Sequence, residues 1–512
     1  MRKNLAILIT VCTAVLAINL DTTIVNVALP SMSRELAAGT SQLQWIVDGY
    51  NLAFAALVLA AGSVSDRIGR RPALIMGLLG FAAASAVGAF VGSPDALIAV
   101  RVGMGAFAAL IFPTTLSIIS NTFRERKPRA AALGVWGAVV GLGVAGGPVV
   151  GGFLLTHFYW GSVFLALTPV ALLAAGLAFA LVPESRDLGV PRLDSIGLLC
   201  SAAMLGLLTY TIIEAPTRGW SSAATLFGFA GTAALLAMFV KVERAADSPM
   251  MDLSLFRDRR FSAASGAVTI TFFALFGFIF LVTQYFQLIR GYDALSAGAR
   301  TLPVAVSIGV ASVVGALLAP RLGTKLVVTT GMVFFGLAFA WISTTQADTP
   351  YVGIIVPQMV LMGLGMGLIS TPATESILLV LPPARAGVGS AVNDATRELG
   401  GTLGVAVVGS LFASVYASRL AAGAFSELPA AQLYQASASV NAALGITKLH
   451  PELVSAMHDA FLAGLHTSCL VVAGVCLAGA LFAAVALPGR RSAEATADDG
   501  VPEDRVLVAS QT

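Results

Sequence analysis

The sequence predicts an all-α integral membrane protein with fourteen transmembrane helices. Of its 512 residues, 57% are hydrophobic and 11% are charged, whereas soluble domains carry about 25% charged residues. Apolar runs recur along almost the whole chain, and each is long enough to cross a bilayer. The net charge of +3 is small and dispersed, so nucleic acid is not expected as a partner.

Fourteen apolar segments account for these runs. We place the spans at residues 5–29, 41–62, 72–92, 95–118, 130–155, 162–182, 193–214, 222–241, 261–285, 297–319, 325–344, 351–378, 388–413 and 459–487. The first run continues past Asp21 without a convincing small-residue cleavage site, which favours an uncleaved span over a signal peptide.

The distribution of basic residues predicts the orientation of the chain. An even number of spans places both termini on one side of the membrane. Of the 30 Lys and Arg residues, 22 fall on that side, 6 on the other and 2 inside spans. Because cytoplasmic loops carry the excess of positive charge, we expect both termini in the cytoplasm. We call the opposite side the outer side.

A short cationic loop follows span 2. Residues 62–72 read Gly-Ser-Val-Ser-Asp-Arg-Ile-Gly-Arg-Arg-Pro. The positive-inside rule explains the arginines but not the two glycines and the aspartate. The spacing closely resembles the loop after span 2 in the major facilitator superfamily of transporters. The resemblance implies the major facilitator fold and assigns a conformational role to Gly62, Asp66, Arg67, Gly69 and Arg70.

A degraded copy of this loop, Pro-Arg-Leu-Gly-Thr-Lys, occurs at residues 320–325. Spans 9–11 therefore correspond to spans 1–3, and spans 7 and 8 are an insertion between two six-helix bundles. Such duplication predicts a central site between the halves. The predicted units are a first bundle at 1–188, a two-helix insertion at 189–255, a second bundle at 256–488 that includes a long outer loop at 414–458, and a disordered acidic tail at 489–512.

Three charged residues lie deep inside early spans. Asp21, Asp48 and Arg101 sit at similar depths, roughly 10–12 Å from the outer face at 1.5 Å per residue. A charge at a span centre costs about 2.5–3.5 kcal/mol on insertion scales, so each requires a reason. We expect these three to form a cluster that couples transport to protons. The alternative is a buried ion pair that holds the spans together.

Polar and aromatic residues accompany Asp48 in span 2. Gln44, Asp48 and Asn51 fall on one helix face, which suits a water-filled cavity. Trp45 and Tyr50 are close in sequence and supply aromatic faces for a cation. We therefore expect these five residues to bind substrate. Desolvation raises and a nearby cation lowers the pKa of a carboxyl group, so a moving cation would switch its proton on and off.

Three segments sharpen the resemblance. Residues 20–30, which include Asp21, resemble the span-1 motif of the fourteen-span drug–proton antiporters, and residues 45–50 are similar to span 2 of the antiseptic and quaternary-ammonium exporters. The matching acids in that branch are implicated in proton coupling and recognition of cationic drugs. Residues 101–105 resemble the span-4 motif, whose arginine is linked to proton transfer, with a departure at Gly103.

Span 5 is rich in glycine between residues 137 and 152. It resembles the antiporter motif of exporters, which implies a conformational role for Gly147, Pro148 and Gly152. Glycine pairs at 137/141, 143/147 and 147/151 predict close approach to a facing helix, and Pro148 favours a kink. Residues 141–146 also match a dinucleotide-binding pattern, but no strand precedes them, so that match is a false positive.

Span 13 opens with a further charged group. Residues 390–401 are also similar to the fourteen-span family, and Asp394, Arg397 and Glu398 stand one helical turn apart near the cytoplasmic end. We expect an ion network within the helix, or a latch at the inner gate, rather than a proton carrier. Asp66 is expected near the start of this helix, where the dipole favours an anion.

No metal site or cofactor is expected. The four cysteines lie inside apolar runs, and the four histidines lack the spacing of zinc ligands. The predicted function is export of lipophilic, often cationic, compounds in exchange for protons, by a monomer in the bacterial cytoplasmic membrane. A dedicated exporter of one metabolite or antibiotic is the first alternative. A membrane-embedded transferase is the second, but the sequence contains no catalytic constellation in a loop, so an enzyme is not expected.

Overall fold

The computed structural model describes residues 2–186, 194–246, 249, 253–379 and 386–487. All regular structure in these residues is helical, and fourteen of the helices are long and apolar enough to cross a membrane. The predicted fold class and number of spans are therefore confirmed. The predicted tail at 489–512 lies outside the described residues.

The helices follow one another with short connections. They are α1 (Arg2–Glu35), α2 (Thr40–Ile68), α3 (Arg70–Gly88), α4 (Pro94–Thr122), α5 (Arg126–His157), α6 (Ser162–Leu165), α7 (Leu167–Leu181), α8 (Ser195–Arg218), α9 (Ala223–Ala245), α10 (Arg259–Gln284), α11 (Ala294–Ala299), α12 (Leu302–Leu322), α13 (Thr324–Ile342), α14 (Val356–Leu379), α15 (Ala386–Ala422), α16 (Ala430–Ala438), α17 (Val440–Thr447) and α18 (Val454–Ala486). Short π-helices extend α10 over Tyr285–Ile289 and precede α14 over Tyr351–Ile355.

Short polar side chains start several spans. Ser93 caps α4, Asp194 caps α8, Ser222 caps α9 and Asp258 caps α10, each by accepting a hydrogen bond from a backbone N–H in the first turn. These caps satisfy amide groups that have no partner within the helix. They explain why long apolar segments begin at defined residues.

The two related inner loops share one backbone conformation. Gly69 joins α2 to α3 with φ 109° and ψ 134°, and Gly323 joins α12 to α13 with φ 88° and ψ 141°. A positive φ favours glycine because other residues would place Cβ too close to the backbone. The degraded copy of the loop in the sequence therefore keeps the geometry of the first.

The inserted pair α8 and α9 packs on the outside of the two halves. Helix α8 contacts α9, α2 of the first half and α15 of the second half. In the second half, α15 continues to Ala422, beyond the predicted end at 413, and the segment after it contains α16 and α17. The predicted outer loop is therefore largely helical.

This outer segment joins the two halves. The Ser33 and Ser439 hydroxyls lie 3.2 Å apart, and Thr40 donates to the Ala438 carbonyl oxygen at 3.2 Å. Gln287 donates to the carbonyl oxygen of Val27 at 2.9 Å. Because these bonds link α1 and α2 to the second half near the outer ends of the helices, the structure is closed on the outer side.

Candidate functional site

A buried ion pair lies in the outer half of the first bundle. Nη1 of Arg101, on α4, is 2.5 Å from Oδ2 of Asp21, on α1, and both side chains are 0% exposed. Nε of Arg101 donates to the carbonyl oxygen of Ile46, on α2, at 2.9 Å. One guanidinium group therefore ties together the three helices that carry the charged residues of the early spans.

Aromatic rings enclose the guanidinium group. Cζ of Arg101 lies 4.4 Å from the ring centroid of Tyr50 and 5.9 Å from that of Phe164. Oδ1 of Asp21 and Nη2 of Arg101 are buried without a hydrogen-bond partner among the described residues. A buried polar atom without a partner carries a free-energy penalty, so this pair is incompletely satisfied and able to change partners.

Asp48 stands apart from this pair. Both of its carboxylate oxygens are buried without a hydrogen-bond partner, and no cation lies within 4.0 Å of them in the part of the chain that the structure describes. The predicted cluster of three charges is thus a pair, Asp21 and Arg101, and a separate acid. A single arginine reaches only one of the two carboxylates because its remaining contacts point to Ile46 and Tyr50.

The remaining span-2 residues do not line an open cavity in this conformation. Nε2 of Gln44 lies 3.1 and 3.0 Å from the carbonyl oxygens of Val405 and Ala406, on α15. Asn51 is 1% exposed. The expectation of a water-filled face is wrong for this conformation, because α15 packs against the outer half of α2 and covers it.

Trp45, at the same end of α2, lies against the inserted pair. Its ring lies 6.3 Å from that of Tyr210, on α8, and packs against the apolar cluster of Ile212, Ile213 and Ala406. Trp45 therefore contacts the inserted pair in this conformation, and its contact with substrate stays a prediction. The periodicity of α2 could not predict this, because it does not say where the insertion docks.

The glycine stripe of span 5 packs against the segment of α1 that carries Asp21. A Cβ atom on Gly147 would lie 3.0 Å from the Leu20 carbonyl oxygen and would collide with the Thr23 hydroxyl. The pairs 143/147 and 147/151 thus have the predicted close approach. The same prediction is wrong for Gly137 and Gly141, which have no atom of the described structure within 4 Å of a built Cβ.

The outer end of span 5 contacts the second half of the protein. A Cβ on Gly152 would lie 2.6 Å from the carbonyl oxygen of Ala294, and a Cβ on Gly298 would collide with the carbonyl oxygen of Pro148. The backbones of α5 and α11 therefore touch at this point. Gly298 is a contact of the closed outer side that sequence reasoning missed, because its small size matters only against a helix distant in sequence.

The cationic inner loop contacts its own half. Oδ1 of Asp66 is 2.7 Å from Nε of Arg70, and the Arg70 amide donates to the Ser185 carbonyl oxygen at 2.8 Å. Gly62 packs at an ordinary distance, with Pro113 3.7 Å from its built Cβ. Asp66 therefore forms an ion pair with Arg70; its predicted place near the start of α15 stays a prediction, because the side chains at 386–391 lie outside the described part of the chain.

The charged group in α15 interacts electrostatically without close ion pairs. No ion pair within 4.0 Å joins Asp394, Arg397 and Glu398, all of which are described residues. Instead, Nη2 of Arg397 lies 3.3 Å from the Thr374 hydroxyl, and its guanidinium carbon lies 5.2 Å from the Phe272 ring. The arginine thus reaches across to α14 and α10, and the two predictions for this group, an ion network within the helix and a latch at the inner gate, both stay predictions.

A row of aromatic rings leads inward from the ion pair. The rings of Tyr50 and Phe54 are 6.3 Å apart, Phe54 and Phe112 are 5.8 Å apart, and Phe112 and Trp136 are 5.1 Å apart. These residues come from α2, α4 and α5. The spacing within one helix predicts only neighbouring pairs, so the row became visible only when three helices were placed together.

The sequence matches known transporters along most of its length. Residues 11–405 match the Major Facilitator Superfamily. The multidrug efflux pump LfrA of Mycolicibacterium smegmatis is 34% identical, over 92% of this chain and 94% of that protein. The tetracenomycin C resistance and export protein of Streptomyces glaucescens is 31% identical, over 98% and 94%. The methyl viologen resistance protein SmvA of Salmonella typhimurium is 35% identical, over 84% and 87%.

Solved structures share the fold. A bacterial homolog of the human lysosomal transporter Spinster, in an inward-facing and unoccupied conformation, aligns with a TM-score of 0.68 at 15% identity, over 94% of this chain and 97% of that one. The human organic anion transporter MFSD10 aligns with a TM-score of 0.57 at 16% identity, over 94% and 99%. At this identity the similarity concerns the fold alone.

Proposed function

The chain belongs to the Major Facilitator Superfamily, and on that premise we propose that it exports lipophilic, often cationic, compounds in exchange for protons. It is a multi-pass membrane transporter and not an enzyme. The finer parts of the proposal are the coupling ion, the bacterial cytoplasmic membrane, cytoplasmic termini and a monomeric state.

The observation that carries the proposal is the buried pair of Asp21 and Arg101, with one atom on each side chain unsatisfied. Breaking a buried pair by removing the charge of one partner is costly, about 3–5 kcal/mol. A proton on Asp21 removes that charge, so protonation makes the present arrangement of α1, α2 and α4 unfavourable. A group with this property converts proton binding into helix movement.

The pair is connected to both neighbouring motifs. Arg101 donates a hydrogen bond to the carbonyl oxygen of Ile46, which lies two residues before Asp48 on the same helix. On its other side, Gly147 packs against the α1 segment that carries Asp21. If Arg101 separated from Asp21, the packing of α2 and of the glycine stripe of α5 would therefore change together.

Asp48 supplies the preference for cations in this proposal. A carboxylate buried without a donor or a cation is unfavourable, and a positively charged substrate or a proton would relieve it. Because Gln44 closes α2 onto α15, Asp48 becomes accessible only when the outer ends of these helices separate. We place Asp48 on the release side of the transport path, where proton and cation compete for it.

Alternating access in this proposal uses the outer contacts described above. The α2–α15 contact at Gln44 and the α5–α11 contact at Gly298 close the outer side. Opening of these two contacts would release substrate outward. No ATP-binding motif occurs in the sequence, which leaves an ion gradient as the energy source.

A dedicated exporter of one antibiotic or metabolite is the second candidate. The observation that favours it is the similarity, over 98% of this chain, to the tetracenomycin C resistance and export protein. The methylenomycin A resistance protein of Streptomyces coelicolor is also 32% identical over 76% of this chain. Both relatives are named for single compounds.

A transport panel tests the proposal and separates the two candidates. Purified protein in proteoliposomes is given a pH gradient, and uptake of dicationic, monocationic and neutral lipophilic compounds is measured together with substrate-dependent proton movement. Transport of several classes with proton counterflow is expected. Transport of one compound alone would favour the dedicated exporter, and transport that ignores the pH gradient would contradict proton coupling.

A further inference from the structure

The inserted pair of helices carries a groove on its outer half. Helices α8 and α9 meet closely where a Cβ on Gly228 would collide with the Thr211 hydroxyl. Beside this contact, Tyr210, Arg218 and Phe227 line a cavity of about 280 Å³. This cavity is separate from the ion pair and from the span-5 contacts of the candidate transport site.

Arg218 supplies a positive charge at the outer end of the groove. Its guanidinium carbon lies 4.8 Å from the Tyr210 ring centroid, and Nη2 donates to the Tyr210 hydroxyl. Its contact with Glu214 is long, 3.9 Å between Nε and Oε2, and Glu214 also accepts a hydrogen bond from Ser41 at 3.1 Å. The Arg218 side chain is 41% exposed, and its guanidinium group keeps donors for an external anion.

Below the charge, Leu207, Ala224 and Phe227 line the cavity, and the hydroxyls of Thr211 and Thr225 are bonded to backbone oxygens of the helix pair. Phe227 is 77% exposed. The groove runs from Arg218 down to Leu207, a rise of roughly 16 Å along α8 at 1.5 Å per residue. That length matches one leaflet, since the hydrocarbon core of a bilayer is about 30 Å thick.

We propose that this groove binds an anionic phospholipid of the outer leaflet. Arg218 and the Tyr210 hydroxyl would hold the headgroup phosphate, because guanidinium groups bind phosphate by paired hydrogen bonds. One acyl chain would lie between α8 and α9 against Phe227. The proposal rests on the proposed orientation of the chain, which places the ends of these helices in the outer leaflet. It assigns the insertion a lipid partner.

Lipid retention by the full-length protein tests this proposal. Wild-type protein is reconstituted in nanodiscs that contain equal parts of phosphatidylglycerol and phosphatidylcholine. The protein is then released from the nanodiscs, and the lipids that remain bound to it are counted by native mass spectrometry. We expect retention of phosphatidylglycerol over phosphatidylcholine. Arg218→Gln should lower it about fivefold, which corresponds to the ~1 kcal/mol that one basic residue contributes near anionic lipid. Arg34→Gln is the matched control, since Arg34 is an exposed arginine in the last turn of α1.

The second variant separates loss of the site from loss of the fold. Arg218→Lys keeps the charge without the paired donors, so it should retain an intermediate amount of phosphatidylglycerol. Equal retention of the two lipids by the wild type, or unchanged retention in Arg218→Gln, would overturn the proposal. Dimers in the mass spectrum that carry less lipid than the monomer would also overturn the proposal, because a second copy of the chain would then occupy the groove. None of these readouts requires transport, so the transport proposal stands or falls separately.

Discussion

Replacement of Asp21 by asparagine tests the buried ion pair most directly. The substitution keeps the shape of the side chain but leaves the guanidinium group of Arg101 buried without a negatively charged partner. Its hydrogen bond to the Ile46 carbonyl oxygen remains. Loss of one partner of a buried pair costs about 3–5 kcal/mol. The asparagine oxygen still accepts one hydrogen bond from Arg101. We therefore expect the free energy of unfolding to fall by about 3 kcal/mol, at the lower end of that range.

Two measurements separate coupling from stability. In everted vesicles, export driven by a pH gradient should fall to background for every substrate in Asp21→Asn, while the protein still inserts. The midpoint of thermal unfolding in detergent should fall as well. In the double variant Asp21→Asn, Arg101→Gln, the unfolding midpoint should recover, since neither partner is then left charged, but export should remain absent.

The control is Asp95→Asn, which changes an exposed aspartate at the outer start of α4. Its export should equal that of the wild type. Full transport by Asp21→Asn under a pH gradient would refute the proton role of this acid. Recovery of export in the double variant would show that the pair is only structural.

Three further substitutions probe the neighbouring parts of the site. Gly147→Leu should abolish drug resistance at normal expression, because its side chain would collide with α1. Gly141→Leu has no neighbouring atom within 4 Å in the described structure and should keep drug resistance. Equal drug resistance in cells with the two variants would contradict the packing argument. Asp48→Asn should lose transport of dicationic compounds most, of monocations partly and of neutral compounds least. The reason is that opposite charges attract by about 4 kcal/mol at 4 Å and an effective dielectric of about 20. Equal loss of transport for all three classes would contradict a preference for cations. Gly298→Val should hold the outer side open, so that cysteines introduced in the outer half are labelled more by a membrane-impermeant thiol reagent. Gly309→Val, which faces open space in the described structure, should leave this labelling unchanged. Unchanged labelling in Gly298→Val would show that the α5–α11 contact does not close the outer side.

Apolar length, loop spacing and the pattern of basic residues made the fold predictable. A span needs about 20 apolar residues whatever its neighbours are, so fourteen spans could be counted without tertiary information. The glycine at 69 and its counterpart at 323 were also predictable in position, because a tight turn between two helices demands a positive φ in each copy.

The charged residues of the early spans were predictable as a group but not as partners. Their depth follows from position along a helix, at about 1.5 Å per residue. Which acid meets Arg101 depends on how α1, α2 and α4 rotate against one another, and the structure selects Asp21 rather than Asp48. Rotation about a helix axis is decided by packing with neighbours, which hydropathy does not encode.

The sequence by itself thus determined the membrane class, the number of spans, the duplicated loop and the buried charges that need compensation. The tertiary structure alone decided the contacts between segments distant in the chain. Gln44 meets α15, Trp45 meets the inserted helix, and Gly298 meets Pro148. The physical reason is that each of these contacts depends on the relative placement of two helices, whereas periodicity describes one helix at a time.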